Sequence, residues 1–177
     1  LKEQLHKESG REATMIVADL SSQADVKQAA EVFLSMEKPL DILLNNAGIM
    51  NRERNETIDG LEEVFSVNHL AYFTFTLLLA EKLKSTNGSR VVNVASGAHQ
   101  FVKDMNFEDL QSEKTFRPMQ VYGQSKLANI LFTKSLSEKL SSFGVTVNCL
   151  HPGFVSTGIG SNNNQGLWPF LMFLARP

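Results

Sequence analysis

The chain has 177 residues, 42% hydrophobic and 20% charged, a balance that supports one domain with a packed core and disfavours disorder. A net charge of −2, with no basic stripe interleaved with aromatics, disfavours nucleic acid as a partner. Cys149 is the single cysteine, which excludes an internal disulfide or a cysteine-based metal site and fits a reducing compartment; no metal is expected.

Leu1 to Ser9 is charged and helix-prone. Ala13-Thr14-Met15-Ile16-Val17-Ala18 reads as a buried strand that runs into Asp19. Ser22-Gln23-Ala24-Asp25 is a capping-box start, and Val26, Ala29, Ala30, Phe33 and Leu34 then recur at helical spacing as a stripe facing a sheet. Leu40 to Leu44 is the next strand and ends in Asn45-Asn46-Ala47-Gly48. A helix is expected from about Leu61 to Lys84. Asn68 continues its apolar stripe of Leu61, Val64 and Phe65, so a buried amide there needs partners.

After the turn signal Asn87-Gly88, the strand Arg90 to Ala95 ends in Ser96-Gly97. A helix from about Val121 to Ser141 breaks at Phe143-Gly144, and the strand Val145 to Leu150 exits into His151-Pro152-Gly153. The apolar stretch Leu167 to Ala175 is well short of the roughly 20 residues that span a bilayer. Gly166 to Ala175 reads as a lid over a substrate, with a membrane-surface contact or a buried helix exposed by truncation as the alternatives. The sequons at Asn55 and Asn87 read as chance. The first residue is Leu1 rather than Met, and both ends look cut, so the chain reads as a piece of a longer protein.

Strands alternating with helices predict right-handed crossovers and a doubly wound parallel α/β sheet covered on both faces. Ligands bind such sheets beyond the carboxyl ends of the strands. The unusual polar residues fall there four times, at Asp19, at Asn45 to Gly48, at Ser96-Gly97 and at His151 to Gly153.

Tyr122 and Lys126, four residues apart on a helix, share one face. An ammonium near a phenol favours the phenolate and brings its proton within reach of acid–base chemistry. Val94-Ala95-Ser96-Gly97-Ala98 lacks the G-x-S-x-G elbow of hydrolases. Ser96 instead suits a hydroxyl that bonds a carbonyl oxygen while Tyr122 passes it a proton, which is the division of labour of carbonyl reduction. His99 is a weaker candidate as a base for Ser96. Phe101, Phe116 and Met119 are candidates to line an apolar substrate pocket.

Taken together, Asn45-Asn46-Ala47-Gly48, Asn68, Ser96, Tyr122-x-x-x-Lys126 and Pro152-Gly153-x-Val155-x-Thr157 resemble the short-chain dehydrogenase/reductase family. Phe107 to Lys114 and Tyr122 to Asn129 look like its retinol dehydrogenase branch. The resemblance implies a Rossmann-like fold and hydride transfer between NADP(H), with NAD as the alternative, and a small hydrophobic alcohol, aldehyde or ketone. It implies Tyr122 as acid or base, Ser96 polarising the oxygen, and Lys126 holding the nicotinamide ribose while depressing the Tyr122 pKa. Asn68 would position a water that links Lys126 to solvent. Asp19 would meet the adenine and Asn45, Asn46, Ala47 and Gly48 the adenosine side, with Pro152, Gly153, Val155 and Thr157 at the nicotinamide end. It also implies an intracellular protein, cytoplasmic or associated at full length with a membrane surface of the endoplasmic reticulum or mitochondrion.

The chain departs from that family in lacking the Gly-rich pyrophosphate loop and the first two strands. Residues 1–177 are therefore expected to be a single partial dinucleotide-binding and catalytic domain, inactive by itself. In the strand order 3-2-1-4-5-6 a gap of roughly 14 Å would separate strands 3 and 4. Ala13 to Ala18 is then expected to have no native sheet partner. The alternative reading is a non-catalytic scaffold that keeps the fold and has lost the cofactor site. Retention of Asn68, Ser96, Tyr122 and Lys126 together favours the enzyme.

Overall fold

The computed structural model describes residues 2–153. Among them, three parallel strands lie side by side in the order β1 (Ile42–Asn45), β2 (Arg90–Val94) and β3 (Thr146–Leu150). Ile42 pairs with Arg90 and Arg90 with Thr146, so the three carboxyl ends finish level and present Asn46, Ala95 and His151 along one edge. That is the doubly wound class expected, with the right neighbours adjacent.

Helices α1 (Lys2–Ser9) and α2 (Gln23–Ser35) precede β1. The Ser22 hydroxyl accepts from Asp25 N at 3.2 Å and caps α2, whose Val26, Ala29 and Ala30 turn inward as their spacing predicts. Between β1 and β2 the expected long helix is present in pieces: α3 (Glu63–Phe65), a π turn (Ser66–Leu70), α4 (Ala71–Leu78) and α5 (Ala80–Ser85). Glu62 caps α3 from a fully buried position, its carboxylate accepting from Val64 N and Phe65 N, and burial pushes its pKa up. The long helix α6 (Pro118–Leu140) connects β2 to β3 and starts three residues before the expected Val121, because Pro118 supplies the preset φ of a first helical residue. Gly144, at φ 75°, takes the left-handed turn that brings the chain into β3.

The core lies between one face of the sheet and these helices. Leu43, Val91 and Val147 of the strands pack against Ala30, Leu79, Leu83, Phe132, Leu136 and Leu140. Alternate residues of the same strands face the other way, where Ile42 and Leu44 are 64% and 56% exposed. Among the described residues the helices thus cover one face of the sheet, not the two expected.

Ala13 to Ala18 is not a buried strand. It has no regular structure and no ladder partner, and Val17 is 84% exposed. An extended segment becomes a strand only when a neighbour takes its N–H and C=O groups, and among the described residues the outer edge of β1, opposite β2, carries no such ladder to this segment. The absence of a partner for this segment is as expected; its burial is not.

Candidate active site

The four polar strand exits do not converge equally. Three of them do, at the carboxyl edge of the sheet under α6. Ser96 follows β2 in extended backbone, and its hydroxyl accepts from Ala98 N at 3.2 Å, capping the short 3₁₀ turn Gly97–Phe101. The Ser96 hydroxyl also lies against the Tyr122 phenol and favours its ionised form, while burial of the ring holds the phenol above its usual range. Burial is the larger influence. The expectation that Lys126 sets a low Tyr122 pKa is therefore not realised in this structure, where the lowering influence comes from Ser96.

Lys126 is 2% exposed, and its Nζ donates to the Val94 carbonyl at 3.1 Å. Desolvation pulls its pKa down to about 8, and among the described residues neither ion pair includes it. The ammonium stands 5.6 Å from the centre of the Tyr122 ring and 5.8 Å from that of Tyr72. Tyr72 donates its hydroxyl to the Ala47 carbonyl at 2.7 Å, and burial raises its pKa.

Gly48 completes this corner. A Cβ there would stand 3.3 Å from Lys126 Nζ and 3.4 Å from Asn68 Oδ1, so only glycine leaves the ammonium face open. An ammonium has three donors, and among the described residues Lys126 makes a single hydrogen bond. A bare Cα beside a buried, incompletely paired cation fits the hydroxyl-rich ribose of a nicotinamide cofactor.

Asn68 sits inside the π turn, a rare widening of a helix that recurs at functional sites. Its amide grips the chain just after Gly48: Ile49 N donates to Oδ1 at 2.7 Å, and Nδ2 donates to the Ile49 carbonyl at 3.0 Å. Nδ2 also donates to Ser125 Oγ at 3.0 Å, and that hydroxyl donates to the Tyr122 carbonyl at 2.8 Å. The Asn68 amide braces the Gly48 loop against the helix that carries Tyr122.

Asn45 also differs from expectation. Its side chain points into the core, where Nδ2 donates to Thr76 Oγ1 at 2.9 Å and to Asn93 Oδ1 at 2.8 Å. It lies on the inward face of β1, so only its backbone and the neighbouring Asn46, which is exposed, face the edge where a cofactor would lie. Asp19 is exposed in its own turn, accepting from Ser21 N and Ser21 Oγ, which hold its pKa down. Pro152 and Gly153 follow β3 at the same edge; Val155, Thr157 and the Gly166 to Ala175 lid lie outside the described residues.

Sequence reasoning missed the buried residues that hold this arrangement. Asn93 Nδ2 donates to Thr133 Oγ1, which donates to the Asn129 carbonyl, and Asn129 Nδ2 donates to the Asn68 carbonyl. The signal available was spacing: Asn129 and Thr133 continue the face of Lys126 at i+3 and i+7 as polar residues where a core stripe is due. Gly123 was also missed. A Cβ there would stand 2.7 Å from the Ala98 carbonyl, so α6 reaches the Ser96 turn only through a glycine. His99 Nδ1 bonds the Ser96 main-chain carbonyl at 2.6 Å, so that nitrogen is not a base for the hydroxyl. Phe101 is 65% exposed.

The sequence model described as short chain dehydrogenase matches residues 1–168. Retinol dehydrogenase 12 of Mus musculus is 46% identical over 145 residues, covering 82% of this chain and 46% of the relative. A short-chain dehydrogenase of Burkholderia cenocepacia solved in complex with NADP has 31% identity and a TM-score of 0.65, over 83% of this chain and 55% of that one. One from Sphingobium yanoikuyae in complex with NADPH has 25% identity and a TM-score of 0.71, over 90% and 58%. The chain spans about half the length of the curated relatives it matches.

Proposed function

The chain belongs to the short-chain dehydrogenase family, and on that premise we propose that at its full encoded length it moves a hydride between NADP(H) and a small hydrophobic alcohol, aldehyde or ketone of retinoid or lipid-aldehyde type. The observation that carries the reading is the Ser96 hydroxyl set against the Tyr122 phenol, beside a buried lysine that pairs with no carboxylate among the described residues. Support for the cofactor comes from family neighbours solved with NADP or NADPH, and for the substrate class from relatives named as retinol dehydrogenases.

A nicotinamide held there would supply or take the hydride. This chain's residues do the rest. Ser96 bonds the substrate oxygen and stabilises the negative charge that develops on it during reduction. Tyr122 delivers the proton to that oxygen, or removes it in the reverse direction. Its raised pKa keeps the phenol protonated and ready to donate, and the Ser96 hydroxyl favours the phenolate that remains. Lys126 and the open Cα of Gly48 would receive the ribose, with Pro152 and Gly153 toward the nicotinamide and Val155 and Thr157 beyond them. Asn68 braces the Gly48 loop and, through Ser125, the Tyr122 turn.

Tyr122→Phe tests the reading, with turnover of NADPH and retinal or a medium-chain aldehyde followed by absorbance. Loss of about 10² or more in kcat with NADPH binding retained is expected. Parental turnover in that variant would refute the acid–base role, and a scaffold would show no turnover in the parent either.

A further inference from the structure

Resting on that reading of the reaction, we infer that His151 is a positioning residue: its imidazole extends the hydrogen bonding of the sheet one rung past the backbone ladder and so fixes the segment that presents the Ser96 hydroxyl. Between β2 and β3, Thr146 N donates to Ser89 O at 3.0 Å at one end, and Ala95 N donates to Leu150 O at 2.9 Å at the other. In a parallel pair the rungs repeat every two residues on each strand. The next two in this register would run from the nitrogen of residue 152 to the Ala95 carbonyl, and from Gly97 N to the carbonyl of residue 152. Residue 152 is proline. It has no N–H to donate, so the backbone ladder stops there.

Gly97 N donates instead to His151 Nδ1 at 3.1 Å. A side-chain nitrogen has replaced the main-chain carbonyl as acceptor. The two chains can then part at the carboxyl edge, where a cleft must open, and still remain tied. Because Nδ1 accepts, the neutral ring carries its proton on Nε2.

Gly97 provides a second, independent observation. It is not among the glycines with positive φ, so its backbone does not demand glycine. Space does: a Cβ there would stand 3.2 Å from His151 Nε2 and 3.4 Å from Cε1. The small residue accommodates the ring that straps it.

Ser96 is the residue between the two fixed points. Ala95 N is held by Leu150 O on one side and Gly97 N by His151 on the other, while the Ser96 carbonyl is bonded by His99 Nδ1. With the peptides on both sides held, the Ser96 hydroxyl has a fixed aim toward Tyr122. Cutting the strap loosens that aim without removing any group that touches the substrate.

The test is steady-state kinetics on the protein at full encoded length, with NADPH and retinal or a medium-chain aldehyde. His151→Ala is expected to lower kcat roughly 10-fold to 100-fold, the scale of a misplaced catalytic group, with the NADPH KM little changed. His151→Asn should restore most of the loss, since Asn Oδ1 sits on the same branch as Nδ1 and accepts in its place. Gly97→Ala displaces the ring and should cost about as much as His151→Ala, and the double variant should be no worse than either single. Parental kcat in His151→Ala, failure of Asn to rescue, or losses that multiply in the double variant would overturn the inference. If His151→Ala does not fold, Gly97→Ala and His151→Asn decide: parental kcat in the first, or a loss in the second as large as that of Gly97→Ala, overturns it. Tyr122→Phe run alongside separates the two readings, because parental turnover there refutes the reaction, whereas a dead Tyr122→Phe beside a fully active His151→Ala refutes only the strap.

Discussion

Asn129 Nδ2 donates across 2.8 Å to the main-chain carbonyl of Asn68, joining the helix of Tyr122 and Lys126 to the π turn of the neighbouring helix. Both residues are fully buried. Asn129 thereby holds in place the residue that in turn holds Ile49 and Ser125.

Asn129→Asp keeps the shape and removes the donor. It sets a carboxylate against a buried carbonyl, and a loss of stability of about 2 to 3 kcal/mol or more is expected from the unsatisfied acceptor and the buried charge. Urea unfolding of the variant against the parent measures it. An unchanged midpoint would show that the Asn68 carbonyl does not depend on this amide.

Gly123→Ala inserts a methyl 2.7 Å from the Ala98 carbonyl, and backbone on both sides leaves no flexible group to yield. Helix α6 and the Ser96 turn must separate by several tenths of an ångström, a strain of about 1 to 3 kcal/mol. Thermal melting should fall and turnover with it, because the separation falls between Ser96 and Tyr122. A variant with parental melting temperature and kcat would contradict the close approach.

Lys126 has its pKa lowered to about 8 by desolvation, below the unfolded value of 10.5. The unfolded chain then binds more protons between those values, so this group makes stability rise as pH climbs from about 8 to 10.5 and fall as pH drops back through 8. The span is worth about 3 kcal/mol at 1.36 kcal/mol per unit. Lys126→Met should abolish that slope and be the more stable protein at pH 7. Urea titrations of both proteins at closely spaced pH values would reveal parallel curves if the lysine were not buried as a cation.

His69 lies among Phe65, Phe73 and Phe132, and its Nδ1 meets Asn129 Oδ1 at 2.9 Å. Since Asn129 Nδ2 faces the Asn68 carbonyl, the amide oxygen faces His69, which fixes the proton on Nδ1. Nitrogen chemical shifts of the ring should report the Nδ1–H tautomer. Burial lowers the His69 pKa, so its contribution to stability is complete above the unfolded pKa and is lost as pH falls through the folded one. A ring that titrates at its ordinary value would disprove the burial.

The helical stripe of Val26, Ala29 and Ala30, the Ser22 cap and the three strand-exit clusters were legible because each depends on residues a few positions apart. So was the Tyr122 and Lys126 pair, one turn apart on α6. The hydrogen-bond partners of Asn45 and Asn68 were not legible. Both are adjacent to residues of the cleft, yet Asn45 bonds Asn93 across 48 residues and Asn68 bonds Ile49 and Ser125 across 19 and 57. The strand reading of Ala13 to Ala18 missed for a related reason. Alternation and composition describe a segment that can pair, and pairing requires another segment.

The amino-acid sequence by itself determined the α/β alternation, the placing of small and polar residues at the strand exits, and a phenol and an ammonium on one helical face. Those follow from periods of two and 3.6 residues, which are properties of the local backbone. The tertiary structure alone decided that Asn45 is a core residue, that Asn68 braces a loop, that burial dominates the Tyr122 and Lys126 protons, and that His151 ties Gly97. Hydrogen-bond partners and desolvation depend on which distant segments meet, and neither has a signature in residue spacing.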